Sequence, residues 1–127
     1  MKTALFALLF AMSSVAFAAD GAFGDINHAD LKAAIESKAV VVIDVNGTDS
    51  YKAGHIPSAI DFQANNKDLA SKLPADKNAL VVAYCGSPQC PAWKSAAKAV
   101  AALGYTNVKH YTGGLSGWKK EGASLQQ

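Results

Sequence analysis

The chain has 127 residues, with 12 lysines against 10 acidic residues for a formal net charge of +2, and it contains no arginine. Its lysines are scattered, which argues against a nucleic-acid-binding surface and against attraction to an anionic membrane. The length suits one domain with one hydrophobic core, and the absence of arginine excludes bidentate guanidinium recognition of an anion.

The first 18 residues have the order of a secretory signal peptide. Lys2 precedes an apolar run that ends at Met12, and the small residues Ala16 and Ala18 form an A-x-A cleavage site. The uncharged stretch is shorter than the roughly 20 apolar residues that span a bilayer, so cleavage is favoured over anchoring. We therefore expect cleavage after Ala18 and an exported protein, periplasmic or secreted, with no membrane attachment.

The rest of the chain, residues 19–127 with a core at about 26–123, is predicted to be one α/β domain. The first half is predicted to begin with a loose Gly-rich segment up to Asp25 and a helix that is capped by Asn27 or Asp30 and ends near Lys38. A central strand Ala39–Val45 and a turn from Asn46 to Tyr51 are predicted next. An edge strand Ala59–Phe62 and a helix capped by Asn65 or Asn66 complete this half. The second half is predicted to contain a central strand Ala79–Tyr84, a helix from Pro91 to Gly104, a strand Val108–Tyr111, a turn at Gly113-Gly114 and a short helix Leu115–Glu121. Strands that alternate with helices predict a parallel sheet with helices on both faces.

Cys85 follows the second central strand directly, and the turn-forming residues Gly86, Ser87 and Pro88 come next. At the carboxyl edge of a parallel sheet, loop amides and the positive end of the following helix favour an anion. This setting predicts a reactive thiol of lowered pKa at Cys85. The alternative is that Cys85 is only a small buried apolar residue at the end of a strand.

Four segments, in order and spacing, resemble the rhodanese family: Val42–Val45, Tyr51 with Gly54–Ala59, Tyr84-Cys85, and Gly113–Trp118. The resemblance implies a single rhodanese-like domain with a central parallel five-stranded sheet flanked by helices on both faces. It also implies a sulfurtransferase that needs no cofactor and acts as a monomer. Its partners would be a small sulfur-containing anion as donor and a thiol, including a protein thiol, or cyanide as acceptor.

Carried over by position, Cys85 matches the cysteine that holds sulfane sulfur as a persulfide. The loop whose amides surround that sulfur is matched by Gly86, Ser87, Pro88, Gln89 and Cys90. Asp44 and His55 match framework positions, and an Asp at the end of a buried strand most often bonds nearby backbone amides. We therefore expect both to be structural.

The chain departs from the family where an anion would be bound. Cys90 and Asn46 stand where many members have an arginine or another anion-binding group, so thiosulfate could be held only by loop amides and by Lys94 or Lys119. We expect weak thiosulfate turnover for that reason. Phosphatases of this fold need an arginine where this chain has Pro91, so phosphatase activity is excluded.

Cys90 lies five residues after Cys85, and a disulfide can join them if their Cα atoms come within about 7 Å. Three hypotheses follow. In the first, the protein transfers sulfur on Cys85, and Cys90 resolves the persulfide or protects the thiol. In the second, the two cysteines form a thiol–disulfide redox or sensor pair. In the third, the domain binds a partner without catalysis. A metal site is not expected, because His28, His55 and His110 are far apart in sequence and neither cysteine has metal-ligand spacing.

Overall fold

The computed structural model of the chain describes residues 23–127, so the predicted signal peptide and its cleavage site lie outside the described residues. Within the described part, no helix is long and apolar enough to cross a membrane.

The five strands of the described residues form one parallel sheet, as the resemblance to the rhodanese family implies. They are β1 Gly24–Ile26, β2 Val41–Asp44, β3 Ile60–Asp61, β4 Val81–Tyr84 and β5 Val108–Tyr111. Their order across the sheet is β1-β5-β4-β2-β3, which puts β4 at the centre and leaves β1 and β3 at the edges. The continuous apolar runs of β2 and β4 are buried because helices cover both faces of the central strands.

The first strand corrects the sequence prediction of a loose start up to Asp25. Gly24, Asp25 and Ile26 pair with β5 in parallel register, Gly24 opposite Lys109 and Ile26 opposite Tyr111. A three-residue segment with one apolar side chain carries no strand pattern of its own. It becomes a strand because the outer side of β5 offers backbone groups that need partners.

The helices are α1 His28–Glu36, α2 Thr48–Ala53, α3 Phe62–Asn65, a 3₁₀ helix Asn66–Lys72, α4 Trp93–Ala102 and α5 Gly114–Lys120. Asn27 caps α1, since its side-chain oxygen accepts the Asp30 amide at 2.8 Å. Of the two predicted caps, Asn27 is therefore the one used, because it precedes the helix by one residue.

The structure differs from the sequence prediction at two places between β2 and β4, a turn that is partly helical and a short helix that was not predicted. The segment expected to be a turn, Asn46 to Tyr51, contains the start of α2, which begins at Thr48 after Gly47 with φ of 93°. The helix predicted after Asn65 or Asn66 is the 3₁₀ helix Asn66–Lys72, and Asn65 occupies its N-cap position without a side-chain hydrogen bond there. The sequence missed the shorter helix before it, α3, which is capped by Asp61, whose carboxylate accepts the Gln63 amide at 3.0 Å. Asp61 ends β3, so the strand passes straight into the helix with the cap at the junction.

The core has two layers, one on each face of the sheet. Odd positions of β4 face one layer and even positions face the other, because side chains alternate along a strand. The layer under α4 contains Ile43, Leu69, Val81, Ala83, Cys85, Trp93, Ala96, Ala97, Val100, Tyr105 and Val108. The opposite layer contains Ile26, Leu31, Val42, Ile56, Ala59, Val82, Tyr84, Tyr111 and Trp118.

Candidate active site

Cys85 is placed at the carboxyl end of the central strand, where the loop to α4 begins. Its side chain continues the odd-numbered face of β4 and is fully buried in the layer under α4. The loop residues Gly86, Ser87 and Cys90 are partly exposed, while Pro88 and Gln89 lie at the surface. The loop therefore forms the cover between the Cys85 sulfur and solvent.

The Cys85 sulfur is held by two backbone groups of the loop and helix. The Trp93 amide, at the first residue of α4, donates to Cys85 Sγ at 3.0 Å. The Cys85 thiol in turn donates to the Cys90 carbonyl oxygen at 3.5 Å, and the Cys90 amide closes a turn onto the Ser87 carbonyl at 3.3 Å. The sequence correctly places Cys85 beside a helix start, and the loop brings Cys90 next to it.

The proton distribution differs from the sequence prediction of a lowered pKa at Cys85. Burial and the contact with the Cys90 thiol raise the pKa of Cys85 to about 12, although the Trp93 and Ala92 amides act in the opposite direction. For Cys90, burial is outweighed by hydrogen bonding with Cys85 and with the amides of Ala92 and Gly86, so its pKa is lowered. Both cysteines are free thiols, and Cys90 is the one that ionises first.

The start of α5 fixes the backbone of the cysteine loop. The Leu115 amide donates to the Cys85 carbonyl at 2.8 Å, and the Ser116 amide donates to the Gly86 carbonyl at 2.9 Å. Gly114 has φ of 62°, and a Cβ there would lie 2.8 Å from the Ser87 amide nitrogen and 2.9 Å from the Cys85 carbonyl oxygen. The sequence predicts a turn at Gly113-Gly114 but not its contact with the cysteine loop, of which the glycine pair is the signal.

Comparison with known proteins agrees with this arrangement. Residues 27–121 match the model of the Rhodanese-like domain. The chain belongs to the rhodanese family. This match covers the whole cysteine loop and every strand except the first.

The relatives of this rhodanese domain differ in size and name. Thiosulfate sulfurtransferase GlpE from Shewanella oneidensis is 31% identical over 91 residues, which are 69% of this chain and 84% of that protein. The HTH-type transcriptional regulator Rv0324 from Mycobacterium tuberculosis is 30% identical over 121 residues, and the match covers 91% of this chain but only 52% of the regulator. The human single-domain sulfurtransferase TSTD1 superposes with a TM-score of 0.61 at 21% identity over 76% of this chain and 96% of its own, a likeness of fold.

Asp44 joins the end of β2 to β4 and to the segment before β3. Its carboxylate accepts the Asn46 amide at 2.7 Å and the Tyr84 hydroxyl, and that hydroxyl accepts the Ile56 amide at 3.0 Å. Burial raises the pKa of Asp44, and the bonds from Tyr84 and Asn46 limit that rise. The hydrogen bonds of Asp44 thus stabilise the loop after β2 and its contact with β4, which is a structural role.

His55 is fixed between α2 and the C-terminal segment. Its ring stacks on Tyr51 with centroids 3.7 Å apart, and Nδ1 lies 2.8 Å from the Tyr51 carbonyl oxygen. Its backbone forms an antiparallel bridge with Gln126. These contacts bury His55 and give it a structural role, since it joins α2 to the C-terminal segment.

The sequence did not predict that two further side chains, Asn46 and His110, lie near the cysteine loop. Asn46, noted only as a departure from arginine, lies against the loop, since a Cβ on Gly86 would be 3.3 Å from its Oδ1. His110 stacks on Trp93 with centroids 3.8 Å apart, and burial lowers its pKa. In the described residues, the Asn46 amide nitrogen and His110 Nε2 are the buried side-chain polar atoms without a hydrogen-bond partner.

A metal centre has no basis in the described residues. Across 23–127, no group of three or more His, Cys, Asp or Glu side chains is arranged to hold a metal ion.

Proposed function

We propose that this rhodanese domain carries sulfane sulfur as a persulfide on Cys85 and passes it to a thiol or cyanide acceptor. The observation that supports this most is the Cys85 sulfur at the carboxyl edge of the sheet, 3.0 Å from the Trp93 amide at the start of α4. Names of relatives that contain "sulfurtransferase" point to the same class of reaction.

The first half of the reaction is an attack by ionised Cys85 on a donor. A bond forms from Cys85 Sγ to the sulfane sulfur, and the donor's own bond to that sulfur breaks, releasing sulfite from thiosulfate or a shortened polysulfide. The proton that Cys85 gives up passes to the departing sulfite or shortened polysulfide, so the loading step does not need Cys90. The Trp93 amide then stabilises the negative charge on the sulfur.

The second half returns the sulfur to an acceptor. An acceptor thiolate attacks the outer sulfur of the persulfide, and Cys85 leaves as a thiolate that the loop amides again stabilise. Since the chain has no arginine, a doubly charged donor has only amides and lysines such as Lys94 to bind it. We therefore favour polysulfide or an organic persulfide over thiosulfate as the efficient donor.

Intact mass tests the proposal. A reductant-free sample of Cys90→Ser incubated with polysulfide is expected to gain about 32 Da, a gain that dithiothreitol removes. Cys85→Ser is expected to gain nothing, because the accepting sulfur is gone. A sulfur gain on Cys85→Ser equal to that of Cys90→Ser would contradict the assignment of Cys85.

A second candidate function is favoured by the closeness of two free cysteines, since the Cys85 thiol donates to the Cys90 carbonyl oxygen. A thiol–disulfide device would use Cys85 and Cys90 as a pair that cycles with a partner's thiols and carries no sulfane sulfur. It predicts a loss of about 2 Da on oxidation in the wild type and no persulfide on either single variant. A domain with neither reaction would be left as a binding module.

Export is proposed with the function, on the pattern of the first 18 residues. The expected result is a mature chain that begins at Ala19 and is recovered outside the cytoplasm of a bacterial host. Full-length protein in the cytoplasm would contradict this part of the proposal.

A further inference from the structure

The second cysteine of the loop contacts the Cys85 sulfur. Cys85 Sγ is fully buried and its thiol already donates to the Cys90 carbonyl at 3.5 Å. Cys90 is half-buried, and the turn from its amide to the Ser87 carbonyl folds it back over the loop. A persulfide built on Cys85 would therefore form beside a second thiol of the same loop.

We propose that Cys90 discharges the Cys85 persulfide within the loop, releasing the outer sulfur as hydrosulfide and leaving a Cys85–Cys90 disulfide. This inference rests on the proposed function, since it needs the persulfide. It adds an activity to it: conversion of sulfane sulfur to sulfide in one turnover, after which an external thiol must reduce the loop.

The step balances without an outside oxidant. The Cys90 thiolate attacks Cys85 Sγ, and a new Sγ–Sγ bond forms from its electron pair. The bond between Cys85 Sγ and the outer sulfur breaks, and its electron pair leaves with the outer sulfur, which has taken the proton given up by Cys90 and departs as hydrosulfide. The persulfide is thus the oxidant, and a low-molecular-weight or protein dithiol later reduces the disulfide and returns both thiols.

The properties of the two thiols favour this direction of attack. Cys90 ionises first and so supplies the thiolate. Attack on the outer sulfur instead would have to expel Cys85 as a thiolate, and burial and the Cys90 contact disfavour ionised Cys85. A leaving group of lower pKa departs faster, so loss of hydrosulfide from the inner sulfur is preferred.

The experiment compares wild type, Cys90→Ser and Cys85→Ser, each reduced, desalted without oxygen and incubated with polysulfide or thiosulfate. Thiosulfate is included because its own by-product is sulfite, so any sulfide in that arm comes from discharge. Intact mass is read in both arms and free sulfide in the thiosulfate arm. Cys90→Ala serves as a second variant if the serine at this position disturbs the fold, which a thermal melt reports.

The expected result is that wild type ends about 2 Da lighter and releases about one hydrosulfide per chain, because the disulfide blocks reloading. Cys90→Ser keeps a gain of about 32 Da and releases none, and Cys85→Ser neither gains mass nor releases sulfide. Dithiothreitol should restore the wild-type mass and allow a second release.

Each other outcome overturns a defined part. Wild type that keeps the added sulfur as Cys90→Ser does, or sulfide release that is equal in both, overturns the discharge by Cys90 and leaves the sulfur carrier intact. Absence of sulfur uptake by Cys90→Ser from either donor overturns the proposed function, and the discharge with it. Uptake by Cys85→Ser would reverse the roles of the two cysteines.

Discussion

At the scale of single residues, the two thiols of the loop have different environments although they are five positions apart. Cys85 is covered on all sides and Cys90 is partly open to water. Two adjacent thiols resist ionising together, so the proton stays on the one that is harder to solvate. The amides of the loop and helix act on both sulfurs, and burial decides between them.

The pH dependence of alkylation tests this assignment. In wild type, iodoacetamide is expected to modify Cys90 before Cys85, because the thiolate is the nucleophile and Cys90 is deprotonated at the lower pH. The Cys90 rate should fall as the pH drops below its lowered pKa, whereas Cys85 should gain reactivity only towards pH values near 12. Peptide mapping by mass spectrometry measures both sites.

Cys90→Ser provides the control for that measurement. Cys90 itself is among the causes that raise the pKa of Cys85, so its removal should move the Cys85 alkylation profile to lower pH. The readout is the position of the profile and not the rate, since burial slows the reagent at any pH. A Cys85 profile that lies below that of Cys90 in wild type would show the assignment to be wrong.

At the scale of elements, the cysteine loop is held from a distant part of the chain. The amides at the start of α5 donate to the Cys85 and Gly86 carbonyls, so α5 is a support for the loop between β4 and α4. That contact requires α5 to begin against the loop backbone, and Gly114 leaves the space for it. The loop geometry is therefore set by three elements: β4, α4 and α5.

Gly114→Ala should destabilise the protein and disturb the site together. A left-handed φ costs alanine about 1–2 kcal/mol, and overpacking against loop backbone adds a similar amount, so we expect a loss of about 2–4 kcal/mol. Sulfur loading of Cys85 should fall with it, because the loop must move away from the added Cβ. Urea unfolding and intact mass measure the two effects.

Gly122→Ala is the matched control. Gly122 has a φ of 73°, but a Cβ there has nothing within 4 Å, so only the backbone cost of about 1–2 kcal/mol applies. Sulfur loading should remain at the wild-type level. Equal losses of stability and loading in the two variants would mean that the contact with the loop is not what matters at Gly114.

At the scale of the whole molecule, one buried hydrogen-bond network connects parts of the sheet that are far apart in sequence. The Tyr84 hydroxyl donates to Asp44 and accepts the Ile56 amide, joining the central strand to the end of β2 and to the chain before β3. All three residues are buried, so neither carboxylate nor amide has water as an alternative partner. Cooperative unfolding of the domain should depend on this junction.

Tyr84→Phe should lower the free energy of unfolding by about 2–4 kcal/mol, because it leaves a buried amide and a buried carboxylate oxygen without a partner. The pKa of Asp44 is already raised by burial, and loss of the Tyr84 hydrogen bond raises it further. A raised folded pKa gives stability below the unfolded pKa that is lost as the pH rises through the folded value. The deficit of Tyr84→Phe should therefore grow from acidic to neutral pH in urea unfolding.

Tyr111→Phe is the comparison for that measurement. Among the described residues, the one hydrogen-bond partner of the Tyr111 hydroxyl is part-buried His28, at 3.4 Å, so loss of this hydroxyl should cost less than about 1 kcal/mol. Similar losses for both tyrosines, or a deficit of Tyr84→Phe that does not change with pH, would contradict the role given to the Asp44 network.

The sequence by itself determined the central part of this protein. The apolar β-branched runs around Val42 and Val82 can be buried only as inner strands of a covered sheet, so their identity and the parallel α/β class follow from pattern alone. Cys85 at the end of such a strand, before Gly86 and Pro88, gives the position of the cysteine loop in the same way. These features depend on neighbours close in sequence.

Only the tertiary structure decided the features that depend on residues far apart in the chain. Gly24–Ile26 became a strand because β5 had an open side, and α2 replaced a predicted turn. The pKa values of Cys85 and Cys90 depend on burial and on the contact between the two residues. At Cys85 these effects outweigh the lowering of the pKa by the amides at the start of α4, which was the effect that the sequence indicated. Solvation and packing are sums over everything that surrounds a group, and the linear order of residues does not contain that sum.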